Sequence, residues 1–353
     1  MACNKTINIS GREIGADMPP YVIAELSANH NGKLETALRL INKAAEAGAE
    51  AIKIQTYRPD TITLDSYGDD FLIRGGLWDG RTLYDLYREA HTPWEWHAPL
   101  FERARKLGIT MFSTPFDRSA VDFLEQLNAP AYKISSFELV DLPLIKYVAS
   151  KGKPMIISTG MADVGEIQEA IDAARDGGCK ELAILHCVSG YPAPAADYNL
   201  RTIANMRTRF DLVTGLSDHT LDNITAIVSV AFGASIIEKH FTLDRAGNGP
   251  DDSFSVEPPE MALLCRGVRT AWEAIGRESY GCQPSELQNK KFRRSLYFVK
   301  DLDAGEVITW DAVRSVRPGF GLAPKYLQSI IGKKTKKKVS KNTPVTFKEV
   351  DNF

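Results

Sequence analysis

The sequence has 353 residues, of which 44% are hydrophobic and 25% charged, and its formal net charge is −2. This composition is ordinary for a globular protein, and the near-neutral charge gives no electrostatic reason to bind nucleic acid or an anionic membrane. No apolar run approaches the ~20 residues that span a bilayer. The N-terminus lacks the apolar core of a signal peptide, so we expect a cytoplasmic protein.

A short hairpin and eight strand–helix repeats account for most of the chain. Residues 7–14 predict the hairpin, with its turn near Gly11, and from residue 21 onward β-rich apolar segments alternate with segments of helical periodicity. The predicted strands are 21–26, 51–55, 109–113, 131–135, 154–158, 182–187, 211–216 and 235–240. The predicted helices are 34–47, 93–107, 119–127, 142–150, 164–175, 200–209, 221–232 and 259–275. Eight such units over about 250 residues predict a TIM (β/α)8 barrel.

An open doubly wound sheet is the alternative arrangement of these units. It needs no eightfold count, and its first turn usually reads Gly-x-Gly-x-x-Gly. The first turn here, residues 27–32, reads Ser-Ala-Asn-His-Asn-Gly, which favours the barrel. A long connection, residues 57–92, follows the second predicted strand and carries a short predicted helix at 83–90. Its length inside a barrel predicts a lid or a substrate-binding loop.

The strand–helix alternation stops after Gly276, which predicts three parts of the chain. Residues 1–276 form the predicted barrel domain, and the polar residues 277–291 read as a linker. Residues 292–353 predict a small β-rich domain, with a strand at 294–299, a turn at 302–307 and a small helix that starts at Thr309. A unit of about 60 residues is only marginally stable alone, so we expect it to pack on another surface.

Polar residues end nearly every predicted strand, and barrel active sites lie at those ends. Lys53 and Lys133 lie in apolar segments, where lysine is rarely buried without a partner, so they predict a phosphate or carboxylate site. Contact with surface acids is the alternative. His219 and His240 end the last two strands and predict a divalent-metal site, with ordinary hydrogen-bonding histidines as the alternative. Glu25 is the candidate general base, or a carboxylate that orients a hydroxyl.

Hydroxyl side chains at the same strand ends would add hydrogen bonds to a bound anion. Ser136, Ser158 and Ser217 are the candidate donors, and Thr114 ends the third predicted strand. Such side chains also favour strand-to-loop turns for local reasons. Taken with the lysines and histidines, they predict phosphate or carboxylate chemistry in which a Lewis acid polarises a carbonyl.

Six segments resemble the sialic acid synthase family of phosphoenolpyruvate-dependent nonulosonic acid synthases, in the family's order and over nearly the whole chain. They are residues 25–32, 51–55, 132–136, 158–161, 215–219 and 237–241. Residues 292–353 resemble the antifreeze-like (SAF) domain of that family, with Arg-Pro-Gly-Phe-Gly at 317–321 as the marker. Residues 25–30, 54–57, 75–79 and 92–97, and Ser189 where other members carry Asn, are most similar to the pseudaminic acid branch.

The resemblance implies a transferase that joins phosphoenolpyruvate to the open-chain aldehyde of an acetamido deoxy sugar and releases phosphate by C–O cleavage. In the pseudaminic branch that sugar is 2,4-diacetamido-2,4,6-trideoxy-L-altrose. Glu25, His219 and His240 would be catalytic, the two histidines holding Mn²⁺ or Mg²⁺. Arg317 would reach the acetamido end from the partner subunit, which implies a domain-swapped homodimer. The implied substrate-binding residues are Lys53, Gln55, Thr114, Lys133, Ser136, Glu138, Ser158, Ser189, Tyr191, Ser217, Asp251 and Arg317.

Three other functions remain open from the sequence. The chain could be an N-acetylneuraminate or legionaminic acid synthase, which a panel of acceptor sugars would decide. A metal-dependent aldolase without phosphoenolpyruvate would not need a second anion-binding lysine. A non-catalytic sugar-binding protein would not need the histidines and lysines at the strand ends, so their presence counts against it.

Overall fold

The structure, a computed structural model, describes residues 5–352. Eight parallel strands, β3 to β10, close into a barrel in the order in which they follow along the chain. The strands are β3 Tyr21–Glu25, β4 Ala51–Thr56, β5 Thr110–Pro115, β6 Tyr132–Ile134, β7 Met155–Ser158, β8 Leu182–Cys187, β9 Val213–Asp218 and β10 Ile236–His240. The predicted TIM barrel is therefore confirmed, and the doubly wound alternative is wrong.

An antiparallel hairpin covers the amino-terminal end of the barrel. Strands β1 (Thr6–Ile9) and β2 (Arg12–Gly15) pair around a turn at Gly11, where φ is +84°. Ile7, Ile9 and Ile14 are buried in one cluster with the inward-facing residues at the start of the barrel strands. The hairpin thus closes one end in apolar contact, and the carboxyl end is left for chemistry.

Helices surround the barrel, and short helices occupy the long connection. Left-handed Gly48 and Gly108 end α1 and α4, a conformation in which glycine carries no steric cost. The helices are α1 Leu34–Ala47, α2 Pro59–Ile62, α3 Leu83–Ala90, α4 Trp94–Leu107, α5 Arg118–Gln126, α6 Leu142–Ala149, α7 Val164–Asp176, α8 Arg201–Phe210, α9 Ile224–Ala231, α10 Pro258–Ile275 and α11 Leu327–Ile330. Within residues 5–352, none could cross a membrane. The cytoplasmic location stays a prediction.

Alternation along each strand decides which residues enter the barrel. In β4, Ile52 and Ile54 pack with the surrounding helices, whereas Ala51 belongs to the inner cluster. Because successive side chains of a strand point to opposite faces, Lys53 shares the inner face with Ala51. By the same rule Glu238 shares the inner face of β10 with Ile236. Lys53 and Glu238 are therefore directed into the barrel.

The chain divides into two compact units after Gly276. The second unit has its own apolar core and one antiparallel pair, β11 (Ser295–Phe298) with β12 (Val313–Val316). Isolated bridges such as Leu302 to Val339 complete its β structure. It is β-rich, as predicted.

For residues 277–353, the structure adds one detail to the predictions and contradicts another. The predicted linker contains a 3-10 helix, Pro284–Phe292, because Glu286 accepts a hydrogen bond from the Gln283 backbone N–H at 2.8 Å and caps its first turn. The small helix predicted from Thr309 is a single turn, closed by the Ala312 N–H to the Thr309 carbonyl. The next residue, Val313, pairs with Phe298 in the sheet, which ends the turn. Phe353 lies outside the described residues.

Candidate active site

A buried cluster of four charges occupies the carboxyl end of the barrel. Lys53 Nζ lies 2.8 Å from Glu25 Oε2 and 3.2 Å from Glu238 Oε1, and Lys133 Nζ lies 3.3 Å from the same Glu238 oxygen. All four side chains are almost completely buried. The two lysines therefore do not reach surface acids; they form ion pairs with carboxylates inside the protein. Glu238 lies within residues 237–241, one of the segments that carry the resemblance, and the sequence predicts no role for it.

The pKa values of these groups follow from burial and from their partners. Burial disfavours charge on Lys53, but the carboxylates of Glu238 and Glu25 outweigh it and hold the Lys53 pKa above its usual value. Burial likewise opposes charge on Glu238, but Lys133 and Lys53 bring its pKa well below the usual range. Burial raises the pKa of Glu25 and lowers that of Lys133. Glu25 is thus the more basic of the two carboxylates.

The predicted hydroxyls surround this charge cluster. Thr114 accepts a hydrogen bond from Lys53 Nζ at 3.3 Å, and Ser217 donates one to Glu238 Oε1 at 3.3 Å. Within the described residues the buried Ser158 hydroxyl has no hydrogen-bond partner. Because a buried polar group without a partner costs free energy, Ser158 is a candidate to bind a ligand atom.

Ser136 and Ser189 meet at Gly160, in the turn after β7. The Ser136 hydroxyl accepts the Gly160 N–H at 3.0 Å. A methyl group on Gly160 would lie 2.2 Å from Ser189 Oγ and 2.8 Å from Ser136 Oγ. A side chain at this position would displace both hydroxyls, which lie close together beside the Gly160 backbone at one point of the rim.

His219 and His240 lie side by side at the ends of β9 and β10, with ring centroids 5.4 Å apart. His219 Nδ1 lies 2.8 Å from the Val188 carbonyl. A carbonyl only accepts, so this nitrogen carries the proton and Nε2 keeps its lone pair. His240 Nδ1 is buried without a hydrogen-bond partner among the described residues, 3.9 Å from Asp251 Oδ2.

The two imidazoles differ in pKa. Burial, reinforced by His219, holds the pKa of His240 well below its usual value, so this ring is neutral. For His219 the opposing contribution of Cys187 outweighs burial and raises the pKa. Within residues 5–352, no set of three or more histidine, cysteine, aspartate or glutamate side chains is arranged to hold a metal ion.

A second buried ion pair fastens the two histidine-bearing strands together on their helix-facing side. Lys239 Nζ lies 2.6 Å from Asp218 Oδ2 and also donates to the Thr220 carbonyl at 2.6 Å. These residues alternate with His219 and His240 along β9 and β10. The pair thus fixes the separation of the strand ends that carry the histidines.

A cleft of about 420 Å³ lies beside His240. Seven predicted site residues line it, namely Gln55, Ser136, Glu138, Ser189, Tyr191, His240 and Asp251. Apolar residues of the connection 57–92 line it too, as expected of a substrate loop. The Tyr191 ring is 4.5 Å from that of His219, which connects the cleft to the histidine pair.

Glu138 is the cleft carboxyl with the most unusual environment. It ends a short 3-10 helix, Ser136–Glu138, and its Oε2 is buried without a hydrogen-bond partner in the described residues. Burial raises its pKa to about 7. Glu138 therefore changes charge near neutral pH.

Fourteen of the fifteen predicted site residues lie in two adjoining groups, and Arg317 lies in the other unit. The cleft group is described above. The charge-cluster group lies deeper and consists of Glu25, Lys53, Thr114, Lys133, Ser158, Ser217 and His219. Gln55 joins the two, because its Nε2 donates to Ser27 Oγ at 2.9 Å and to Glu25 Oε1 at 3.4 Å. Arg317 is exposed and follows β12 in the second unit.

Sequence reasoning missed two further features of this site. Glu238 could have been found, since two buried lysines require anionic partners and a glutamate ends a neighbouring strand. Trp78 could not, because its position depends on the path of the long connection. Its Nε1 donates to the Pro250 carbonyl at 3.0 Å, and its ring lies 5.9 Å from that of Tyr191.

Comparisons with known proteins agree with this geometry. Residues 40–280 match the NeuB family and residues 293–351 match the SAF domain. The chain is 44% identical to pseudaminic acid synthase of Campylobacter jejuni over 92% of this chain and 94% of that protein. It is 41% identical to pseudaminic acid synthase of Helicobacter pylori over 94% of this chain and 98% of that protein. The crystal structure of N-acetylneuraminic acid synthetase from Leptospira borgpetersenii superposes with a TM-score of 0.72 at 31% identity, covering 81% of this chain and 95% of that one.

The fold and the site define a barrel enzyme whose mouth combines buried lysines with a pair of histidines. The matched residues cover most of the barrel and residues 293–351 of the second unit. The chain belongs to the NeuB family and carries a C-terminal SAF domain, as the resemblance predicted.

Proposed function

We propose that the chain condenses phosphoenolpyruvate with 2,4-diacetamido-2,4,6-trideoxy-L-altrose to give pseudaminic acid and phosphate. One observation carries this proposal: two buried lysines and two buried histidines share one barrel mouth in a chain 44% identical to a pseudaminic acid synthase. The lysines suit an anionic substrate, and the adjoining cleft suits a sugar.

Lys53 and Lys133 would bind the phosphate and carboxylate groups of phosphoenolpyruvate. Glu25 and Glu238 hold both ammonium groups in place before the substrate arrives, so little reorganisation is needed when it binds. Thr114, Ser217 and the unpartnered hydroxyl of Ser158 would complete this site. Ser136 and Ser189 would contact the same anion from the rim, with the Gly160 N–H holding the Ser136 hydroxyl in place.

The two histidines fit a divalent metal ion. His219 keeps Nε2 available while Nδ1 donates to a backbone carbonyl, an outer contact typical of metal-binding histidine. His240 is held neutral by burial and has a buried nitrogen without a hydrogen-bond partner in the described chain. Members of the NeuB family are generally metal-dependent. Mn²⁺ or Mg²⁺ bound here would supply a Lewis acid for the aldehyde carbonyl.

The reaction begins when C3 of phosphoenolpyruvate bonds to the aldehyde carbon, whose oxygen takes up a proton. Water adds to C2 and loses a proton, and the bond from C2 to the phosphate oxygen then breaks to give the ketone and inorganic phosphate. Glu25 is the proposed base, because burial raises its pKa and the Ser27 N–H and Gln55 hold its Oε1. Lys53 and Lys133 offset the negative charge throughout.

The sugar would occupy the cleft, in contact with Gln55, Glu138, Tyr191 and Asp251. We further propose that the protein is a domain-swapped homodimer in which Arg317 reaches the acetamido end of the sugar bound by the partner subunit. What supports this is the family's SAF domain and the exposure of Arg317 within its own unit.

Phosphate release from phosphoenolpyruvate tests the proposal directly. The diacetamido sugar should support turnover that a chelator abolishes and added Mn²⁺ restores. With ¹⁸O in the bridging ester position, the label should leave with phosphate, since the bond between C2 and that oxygen breaks. Recovery of the label in the sugar product would contradict C–O cleavage.

N-acetylneuraminate synthesis is the second candidate function. It is favoured by the structural similarity to N-acetylneuraminic acid synthetase, although that identity is only 31%. N-acetylmannosamine belongs in the same assay for this reason. Faster turnover with N-acetylmannosamine than with the diacetamido sugar would select this candidate.

A further inference from the structure

The cleft has two chemically different sides. Its barrel side carries hydroxyl, amide, carboxyl and imidazole groups, as described above. The connection 57–92 contributes the aromatic residues Tyr57, Trp78 and Tyr87 to the lining, together with five residues whose side chains are wholly apolar, Ile62, Ile73, Leu83, Leu86 and Ala90. None of these five side chains has a polar atom. We call these five residues the apolar wall.

An apolar wall constrains what can lie against it. A sugar hydroxyl placed there would give up its hydrogen bonds to water without replacement, which is unfavourable. A methyl group would be stabilised by the same burial. The wall therefore suits the part of a sugar that has lost a hydroxyl or carries an acyl group.

The wall is held in position by the rest of the site. Trp78, in the same connection, donates to the Pro250 carbonyl at 3.0 Å, next to Asp251, and its ring packs near that of Tyr191. At the base of the connection, the rings of Tyr57 and Tyr87 pack edge to face at 5.8 Å. The backbones of Ile73 and Arg81 are also hydrogen-bonded at 2.8 Å. The apolar side chains thus face the cleft on a fixed support.

We infer that the apolar wall selects a 6-deoxy sugar by contacting its C6 methyl group, an inference that rests on the proposed function. The reacting aldehyde must lie toward His240 and the charge cluster, so the far end of the sugar is directed away from them. Ile73 and Leu83 are two of the four half-buried wall residues, and substitutions at these positions test contact with that end. The wall distinguishes sugars and takes no part in the bond changes.

Two sugars that differ only at C6 test this inference. The diacetamido trideoxy sugar and its 6-hydroxyl counterpart are compared by kcat/KM, with phosphate release as the readout. The unsubstituted protein should prefer the deoxy sugar by about 10- to 100-fold, the range that an apolar pocket achieves against an added hydroxyl. Ile73→Asn and Leu83→Asn should each reduce this preference several-fold, mainly by lowering kcat/KM for the deoxy sugar.

Matched variants separate selection from damage to the fold. Leu77→Asn lies in the same connection, is 48% exposed and is not a lining residue, so it should keep the preference. Ile73→Leu should keep it as well, because the side chain stays apolar. The KM for phosphoenolpyruvate should stay unchanged in all four variants, since the charge cluster is untouched.

The outcomes are distinct. An unchanged preference in both Ile73→Asn and Leu83→Asn overturns the inference, and so does an equal loss in Leu77→Asn. If the unsubstituted protein releases no phosphate with either sugar, the proposed function fails and this inference fails with it. A reduced preference confined to the two wall variants, with Ile73→Leu unaffected, supports it.

Discussion

The charge cluster and the histidine pair are neighbours at one barrel mouth, yet they are built in opposite ways. In the cluster each lysine has a carboxylate within 3.3 Å, and the two positive charges face two negative ones. In the histidine pair, burial keeps His240 neutral, and its Nδ1 has no hydrogen-bond partner within the described residues. In the charge cluster every charged group has an ionic partner before substrate binds. In the histidine pair, one ring nitrogen has no hydrogen-bond partner among the described residues.

This difference separates two tasks. Ammonium groups that carboxylates already hold in position suit the binding of an anion such as phosphoenolpyruvate. Neutral nitrogens suit a metal ion and, through it, a carbonyl oxygen. The comparison predicts that binding of phosphoenolpyruvate depends on the cluster, whereas activation of the aldehyde depends on the histidines, so neither half supports catalysis alone.

Removal of either histidine should have the largest effect. We expect His219→Ala and His240→Ala to lower kcat by about 10³-fold or more, because a Lewis acid contributes several kcal/mol to the barrier. Phosphoenolpyruvate should still raise the melting temperature of both variants, since the charge cluster is intact. His186→Ala is the control, because that strand-end histidine contacts the Tyr198 carbonyl instead. Full activity of the two variants without added metal would show that activation of the aldehyde does not depend on the histidines.

Disruption of the charge cluster comes next in size. Glu238→Gln removes the carboxylate shared by Lys53 and Lys133, and loss of one partner from a buried ionic network costs about 3–5 kcal/mol. We expect the free energy of unfolding in urea to fall by that amount. Phosphoenolpyruvate should stabilise the variant more than the unsubstituted protein, because it restores the missing negative charge.

An exposed pair provides the control for that measurement. Glu102 and Lys106 form an ion pair on the surface of α4, where solvent screens the charges. Glu102→Gln should leave the unfolding curve nearly unchanged. Equal effects of Glu102→Gln and Glu238→Gln would show that the buried cluster contributes no more to stability than an exposed ion pair.

Mixed dimers test whether Arg317 of one chain completes the site that contains the histidine pair of the other chain. Arg317→Ala and His240→Ala should each be nearly inactive alone. If Arg317 serves the partner's barrel, one site in each mixed dimer is intact, and random mixing should restore about a quarter of the native activity. No recovery, with mixed dimers demonstrated by a tag on one chain, would place Arg317 in its own chain's site.

The smallest expected effect concerns Glu138 and pH. Its pKa is raised by burial from 4.5 to about 7, so the folded protein binds a proton more tightly than the unfolded chain. This contribution to stability is present below pH 4.5 and is lost as the pH rises toward 7. Glu138→Gln should therefore melt a few degrees higher than the unsubstituted protein at pH 8 and show no such gain at pH 4.

The sugar provides a second readout for the same residue. If the Glu138 carboxylate accepts a hydrogen bond from the sugar, kcat/KM for the sugar should rise with pH through about 7 and flatten in Glu138→Gln. A stability gain of equal size at pH 4 and pH 8 would argue against a buried, titrating carboxyl at this position.

The barrel could be predicted from sequence because its signal is local. Each apolar run fixed a strand to within about two residues, and each amphipathic segment fixed a helix. The second unit was harder, because much of its β structure consists of single bridges, such as Val307 to Lys334, which leave no alternating pattern. Without knowledge of its contacts, the turn at Thr309 resembles the start of a helix. The capped 3-10 helix Pro284–Phe292 likewise resembles a linker.

The sequence predicts which residues belong to the site, but not which of them form ion pairs with one another. Position at a strand end identified Lys53, Lys133 and the histidines, since parallel strands deliver their carboxyl ends to one rim. The partner of Lys133 is Glu238, 105 residues away along the chain, and only closure of the barrel joins them. The apolar wall depends on the path of a long connection, for which sequence periodicity carries no signal.

The ion pair between Lys239 and Asp218 has a consequence for how the last strand finds its place. Residues 238–240 alternate between the barrel interior and the helix-facing layer, so a shift of β10 by one residue would exchange the two sets. Lys239 would then enter the interior beside two other lysines, and the carboxylate of Asp218 would lose its partner. The charges on β9 and β10 therefore favour a single register when these two strands pair.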